Sequence, residues 1–208
     1  MDYAKFGELS PCDYAGALKR DSFMDAGMRE LWQGIPRMAG PAFTVKMIPG
    51  ENLGLHQAIY AAPKGSIIVA ETGSMDYAVS GGNVCKIAQN RGIAGFVIDG
   101  VVRDIAEVRE ARFPIFGRGV IPIPGGKEKV VPLNVPIICG GIDVNPGDII
   151  VADEEGIVVI PKDRADEVYA KAKAKAEEEA AMSFEEWAAN HKRKIDSFNT
   201  SGTPFTCG

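Results

Sequence analysis

The order of strand and helix patterns constrains the fold of these 208 residues more than any other feature. In the first half, short apolar strand patterns alternate with helical ones: strands at 42–48, 66–70 and 94–98, and helices at 52–62 and about 83–92. After residue 122, prolines and glycines separate consecutive β segments, and a long helical pattern follows. Alternation predicts parallel strands, whereas consecutive β segments predict antiparallel pairing. We therefore expect one layered α/β domain over residues 1–208 with a mixed sheet.

The last helical pattern, at about 163–197, is rich in Ala, Lys and Glu and has a break near Ser183. Its apolar stripe is narrow and consists of Val168, Ala172 and Ala176. A helix with so little apolar surface gains little from packing on its own domain. We expect it to pack on a neighbouring subunit.

Composition and charge exclude several classes of function. The net charge is −5, and Lys and Arg are scattered, which argues against nucleic acid as a partner. No apolar stretch approaches the ~18 residues that a membrane span needs, and the N-terminus lacks the pattern of a signal peptide. Cys12, Cys85, Cys139 and Cys207 are widely spaced without a CxxC motif, which argues against zinc and favours reduced thiols. We expect a cytoplasmic protein that binds neither nucleic acid nor membranes.

Gly81 and Gly82 stand at the predicted start of a helix that continues through Asn83 and Val84. Free amides at a helix N-terminus, together with the helix dipole, favour a carboxylate or a phosphate. The alternative is an ordinary tight turn, in which glycine pairs are common. The spacing is not GxGxxG, so no dinucleotide-binding fingerprint is present.

The segment from Asp99 to Asp104 follows the carboxyl end of a predicted buried strand, where open α/β sheets bind ligands. Arg103 can grip a carboxylate with two N–H groups. Asp104 can hold Mg²⁺ or Mn²⁺, which accept few protein ligands and keep several waters. The alternative is that Asp104 caps the next helix and Arg103 pairs with a surface acid.

Other ionisable residues give weaker signals. Residues 177–179 are three glutamates, which form either a solvated helical face or a second carboxylate for the water shell of a metal. His56 and His191 are isolated in sequence, which gives little support to a Ser-His-Asp site. Nothing marks Lys46 or Lys86 as a desolvated Schiff-base lysine.

Five sequence blocks carry a resemblance to a known family: residues 39–45, 51–59, 91–104, 113–119 and 153–161. Over residues 9–182 the chain resembles the 4-hydroxy-4-methyl-2-oxoglutarate and 4-carboxy-4-hydroxy-2-oxoadipate aldolases and the regulator of ribonuclease E activity A. The resemblance implies an α-β-β-α layered sandwich like a phosphohistidine-type swivelling domain. It also implies a homotrimer or homohexamer with sites between subunits.

The resemblance also implies roles for individual residues. Asp104 would bind the divalent metal, Mg²⁺ or Mn²⁺, largely through water. Arg103 would hold the substrate together with the backbone amides of Gly81, Gly82, Asn83 and Val84. Glu179 from the terminal helix of a neighbouring subunit would orient metal-bound water, with Glu178 as the second choice.

The function implied is that of a class II, metal-dependent pyruvate aldolase or oxaloacetate decarboxylase-like lyase. Its substrates would be 2-oxo acids, namely 4-hydroxy-2-oxo dicarboxylates and oxaloacetate, and both reactions pass through a pyruvate enolate. The alternative within the same family is a non-catalytic regulator that binds a ribonuclease.

The chain departs from the family pattern at Gly82. The aldolase motif, Asp-x20-Arg-Asp, has its first Asp at this position, where it helps to place the water used in proton transfer. Glycine keeps the amides and removes the carboxylate, which affects aldol cleavage more than decarboxylation. Asp99, or a water held by Glu179, is a candidate replacement, and a different 2-oxo acid substrate is a further alternative.

Overall fold

The computed structural model describes residues 3–200. The strands are β1 Arg29–Glu30, β2 Met38–Lys46, β3 Ile67–Glu71, β4 Gly95–Val102, β5 Ile115–Val120, β6 Ile137–Cys139, β7 Ile142–Val144, β8 Ile149–Asp153 and β9 Gly156–Ile160. The α-helices are α1 Pro11–Tyr14, α2 Leu53–Ala61, α3 Gly82–Asn90, α4 Ile105–Glu110, α5 Ala165–Ala180 and α6 Phe184–Thr200. None of these helices combines the length and apolar character needed to cross a bilayer.

Seven strands form one mixed sheet in the order β1-β5-β4-β3-β2-β8-β9, and β6 and β7 form a separate hairpin. Strands β2 to β5 run parallel, whereas β1, β8 and β9 pair antiparallel with their neighbours. The long strand β2 pairs with β8 over its first four residues and with β3 over the rest. Pro41 is the last residue paired with β8, where the strand changes partner, and a proline there removes one backbone donor. The predicted mixed sheet is confirmed.

Two buried clusters place apolar layers on opposite sides of the strands. The larger one joins the parallel strands to the inner faces of α2 and α3, through residues such as Leu55 and Ala88. The other joins β8 and β9 to the N-terminal segment and α5. Helices therefore cover strands on both sides, and the predicted layered α/β class is confirmed.

Two details differ from the sequence-based expectations. Strand β4 continues to Val102, so Asp99 lies inside the strand and not after its end. The register of β4 against β5 shifts between Ile98 and Val101, and the strand continues beyond this irregularity. The stripe containing Val168 and Ala172 is buried against strands of its own chain. Packing of the terminal helices on a neighbouring subunit stays a prediction for surfaces outside that stripe.

The parallel strands bring their carboxyl ends to one edge of the sheet. The loop before α3 is fixed there because Val79 N–H donates to Val101 O at 3.1 Å and Arg103 N–H donates to Ser80 O at 2.9 Å. Ala78 N–H also donates to Ile123 O at 2.7 Å, which holds the segment after β5 beside that loop. Three separate segments therefore meet at this edge, where parallel sheets usually bind ligands.

Candidate active site

A pocket of about 410 Å³ lies where these segments meet. Its lining consists of Asn52, His56, Lys127 and residues 78–81, 83–84, 103–104 and 124–125. It therefore brings together most of the residues that the sequence singled out. A larger cavity of about 1470 Å³ is lined by residues such as Arg20 and Arg164, and its lining includes none of the predicted site residues.

Asp104 has an unusual backbone conformation for a residue with a side chain. Its φ and ψ are 56° and 36°, in the left-handed region that non-glycine residues seldom occupy. Asp104 precedes α4, but its side chain does not cap that helix. Its Oδ2 accepts a hydrogen bond of 3.2 Å from Gly82 N–H at the start of α3. Asp104 therefore occupies the N-cap position of α4, as the alternative predicted, but its side chain binds Gly82 N–H and does not cap the helix.

Arg103 lies beside the same carboxylate. Its Nε is 3.4 Å from Asp104 Oδ2, and its side chain is 42% exposed. The partner of Arg103 is therefore an acid of the pocket. Because the side chain remains partly exposed, a substrate carboxylate can also reach the guanidinium.

The helix α3 begins at Gly82, with Gly81 as its N-cap residue. A Cβ on Gly81 would collide with Asp104 Oδ2 and would lie 3.1 Å from Arg103 Cγ, so glycine permits the close approach of these two side chains. Gly82 N–H is bound to Asp104, and the amides of Asn83 and Val84 have no acceptor within the helix. These two residues line the pocket, so their position favours an anionic ligand.

Several polar residues of the pocket, among them Asn52, His56 and Lys127, were missed as site residues. Asn52 is 4% exposed; its Nδ2 donates to Gly125 O at 3.2 Å, and its Oδ1 has no hydrogen-bond partner. Burial, and secondarily the charge of Lys127, lowers the pKa of His56, which favours a neutral imidazole at pH 7. Asn52 and His56 lie four residues apart within one of the family-like blocks, and that spacing was the available signal.

The loop that carries Lys127 is held by Glu51. Glu51 is buried, and its Oε2 accepts hydrogen bonds from Glu128 N–H at 2.9 Å and from Lys129 N–H at 3.4 Å. These contacts fix the backbone immediately after Lys127, which lines the pocket. The carboxylate of Glu51 is thereby used for structure.

The residues of the pocket fit one kind of metal ion. Asp104 offers a single carboxylate whose side chain is 37% exposed. Within residues 3–200, no three His, Cys, Asp or Glu side chains are grouped so that they could enclose an ion. Mg²⁺ and Mn²⁺ suit such a site because they accept one or two carboxylates and fill the other positions with water and substrate oxygens.

None of the three cysteines within residues 3–200 lines this pocket. Cys85 and Cys139 are buried free thiols, and burial raises the pKa of Cys85 to about 11. Cys12 is an exposed free thiol, and Cys207 lies outside the described residues.

Glu178 and Glu179 lie on an exposed part of α5, and neither lines the pocket of its own chain. Glu179 Oε1 is 3.6 Å from Lys175 Nζ, one helical turn earlier. A role for either glutamate in the site of a neighbouring subunit stays a prediction.

Asp99, a candidate replacement for the acid absent at position 82, is bound elsewhere. One carboxylate oxygen binds the Arg118 guanidinium, and the other accepts Gly140 N–H at 2.8 Å. Arg118 also makes two hydrogen bonds to Asp25, of 2.9 and 2.7 Å. Asp99 therefore belongs to an ion-pair network outside the pocket, which does not support it as a proton acceptor there.

The sequence is similar to those of known proteins. A family model described as RraA-like, Aldolase/RraA, matches residues 11–159. Over 146 residues, the chain is 42% identical to a Halalkalibacterium halodurans protein provisionally named 4-hydroxy-4-methyl-2-oxoglutarate aldolase, with 70% of each chain covered.

Two solved structures extend the comparison to the fold. An uncharacterised protein from Pseudomonas syringae pv. tomato superposes with a TM-score of 0.73 at 30% identity, covering 97% of this chain and 89% of the other. Streptomyces coelicolor RraAS2, described as an unusual member of the RNase ES inhibitor RraA family, gives 0.76 at 28% identity, covering 87% and 96%.

Proposed function

Because this chain belongs to the RraA-like aldolase/RraA family, we propose that it is a divalent-metal-dependent lyase acting on 2-oxo acids. The proposed substrates are oxaloacetate and 4-hydroxy-2-oxo dicarboxylates, both of which yield pyruvate. The observation that carries this proposal is Asp104, whose left-handed backbone aims its carboxylate at the start of α3, beside Arg103. An anion site next to an acid is what a chelating 2-oxo acid and a divalent cation require together.

Different residues of the pocket would bind the substrate and the metal ion. Arg103 and the amides of Asn83 and Val84 bind the substrate carboxylate and fix the orientation of the bond that breaks. Asp104 would hold Mg²⁺ or Mn²⁺, and such an ion supplies a Lewis acid that polarises the keto group. Loss of CO₂ from oxaloacetate, or of the distal carbonyl fragment from a 4-hydroxy-2-oxo dicarboxylate, leaves the pyruvate enolate. A proton added at C3 then gives pyruvate.

We further propose that the enzyme is a homo-oligomer, a trimer or a hexamer, with Glu179 supplied to each site by a neighbouring copy. The exposed position of Glu179 on α5, outside the pocket of its own chain, is consistent with that arrangement. Glu178 remains the second choice.

Pyruvate release from oxaloacetate, with and without Mg²⁺, tests the proposed activity. We expect chelation to abolish release and Asp104→Asn to lower kcat/KM by at least about 100-fold, because the carboxylate that holds the cation is lost. The matched control is Asp163→Asn, an exposed acid after β9, which should keep wild-type activity. Release that is independent of metal, or full activity in Asp104→Asn, would contradict the proposal.

A regulator of a ribonuclease is the second candidate, and two observations favour it. Position 82 has no carboxylate, and one structural relative is described as belonging to a family of RNase ES inhibitors. Retention of a ribonuclease on the immobilised protein, together with no pyruvate release from either substrate, would select this function over the lyase.

A further inference from the structure

The space beside Gly82 is filled by a carboxylate from another element. An ideal Cβ on Gly82 would lie 2.8 Å from Glu107 Cβ and 2.9 Å from Glu107 Cδ, and it would collide with Oε2. Non-bonded heavy atoms do not approach a Cβ within 3 Å in packed proteins. The side chain of Glu107 therefore occupies the space that a side chain at residue 82 would need. Glu107 is brought there because it lies one helical turn after Asp104, to whose carbonyl its N–H donates at 3.0 Å.

Among the described residues, the carboxylate of Glu107 makes one long ion pair, with Lys86, and no hydrogen bond. Glu51 and Asp99 are bound by backbone amides or by arginine, and Asp104 is bound by Gly82 N–H. The side chain of Glu107 is 51% exposed, and its Oε2 is 3.8 Å from Lys86 Nζ, which is beyond hydrogen-bond distance. Glu107 is not itself part of the pocket lining, but its oxygens are open to solvent beside Gly82, whose N–H is bound to the pocket residue Asp104.

We propose that Glu107 accepts the proton of the substrate's 4-hydroxyl group during aldol cleavage, directly or through one water. This assignment rests on the proposed lyase function. The hydroxyl proton moves to the carboxylate, the O–H electron pair forms the new C4 carbonyl, and the C3–C4 pair becomes the double bond of the pyruvate enolate. A proton from solvent at C3 completes pyruvate, and Glu107 returns its proton to solvent.

Oxaloacetate provides the internal comparison, because it has no 4-hydroxyl group to deprotonate. Its decarboxylation needs the same anion cradle and cation and has no need of this acceptor. An aldol-specific role for Glu107 can therefore be separated from a general role in binding or folding.

The test is pyruvate release from oxaloacetate and from 4-hydroxy-4-methyl-2-oxoglutarate by wild type and by Glu107→Gln. We expect aldol cleavage to fall by about 10²- to 10⁴-fold, which is the range of general-base catalysis, while decarboxylation stays near wild type. Glu107→Asp should recover part of the loss, and Glu110→Gln, exposed on the same helix, should change neither reaction. Mg²⁺ binding measured by calorimetry should be unchanged in Glu107→Gln.

The possible outcomes are distinct. If wild type releases no pyruvate from either substrate, the lyase function itself fails. If it decarboxylates oxaloacetate but does not cleave the aldol substrate, or if Glu107→Gln cleaves it normally or loses both reactions equally, the lyase stands and the role of Glu107 is overturned.

Thermal unfolding tests the geometry without any activity. Gly82→Asp should lower Tm by at least about 4 °C, because its Cβ meets Glu107. Gly119→Asp is the matched control, because a Cβ there would make an ordinary contact of 3.9 Å with Val101. The loss in Gly82→Asp should be smaller in a Glu107→Ala background; equal losses in both backgrounds would show that the two positions do not compete for this space.

Discussion

At the scale of single residues, the site depends on close approach as much as on charge. Asp104 can reach the amide of Gly82 because its backbone takes a left-handed conformation and because Gly81 has no side chain. Holding a non-glycine residue in that conformation costs about 1–3 kcal/mol, which the surrounding contacts must offset. Such strain is most often found at functional positions, and here it coincides with the pocket.

His56 gives a prediction at the same scale. Its pKa in the folded protein lies below the ordinary value of 6.5, chiefly because of burial, so the folded state binds this proton less readily than the unfolded state. The contribution of His56 to stability should therefore be constant above pH 6.5 and should fall as the pH drops below it.

Urea unfolding at pH 7 and at pH 5 measures this effect. From pH 7 to pH 5, the free energy of unfolding should fall less in His56→Gln than in wild type. The control for the loss of an imidazole is His191→Gln, on the exposed helix α6. An identical pH dependence in wild type and His56→Gln would contradict a half-buried, neutral His56.

At the scale of elements, the sequence predicted well what depends on local pattern. Apolar periodicity and glycine breaks predicted α2 and α3 close to their observed limits, and the consecutive β segments predicted antiparallel pairing such as that of β8 with β9. The predicted end of β4 was wrong because an Asp-Gly pair usually marks a turn. In the structure, the strand continues past this pair after a register shift against β5. Propensity cannot report a register shift, since the shift depends on the neighbouring strand.

The site was only partly predictable for the same reason. Gly81 to Val84 and Arg103-Asp104 are short motifs at element ends, and the structure brings them into one pocket. Asn52 and Lys127 reach it from distant segments, held by contacts such as those of Glu51. The neighbour of Gly82 is Glu107, which sequence reasoning did not consider because it depends on how closely α4 approaches α3.

At the scale of the whole molecule, the proposed sites need two copies of the chain. Asp104 lines the pocket of its own chain, whereas Glu179 lies on α5 outside that pocket. Two inactive variants, Asp104→Asn and Glu179→Gln, should therefore complement one another when their subunits are mixed. Random assembly would restore both groups at about a quarter of the sites in a cyclic oligomer.

Pyruvate release by the variants, alone and after co-expression, measures complementation. Full activity in Glu179→Gln alone would show that this glutamate is dispensable, and Glu178→Gln is then the variant to test. No activity in a mixed oligomer of confirmed composition would contradict a site shared between copies.

The central claim is that Asp104 and the start of α3 bind a cation and a 2-oxo acid side by side. A crystal structure with Mg²⁺ and oxalate, a non-reacting analogue of the pyruvate enolate, tests it most directly. We predict Mg²⁺ on the Asp104 carboxylate and oxalate against Arg103 and the amides of Asn83 and Val84. The claim would be contradicted if oxalate and Mg²⁺ bound elsewhere while Asp104 kept its hydrogen bond from Gly82 N–H.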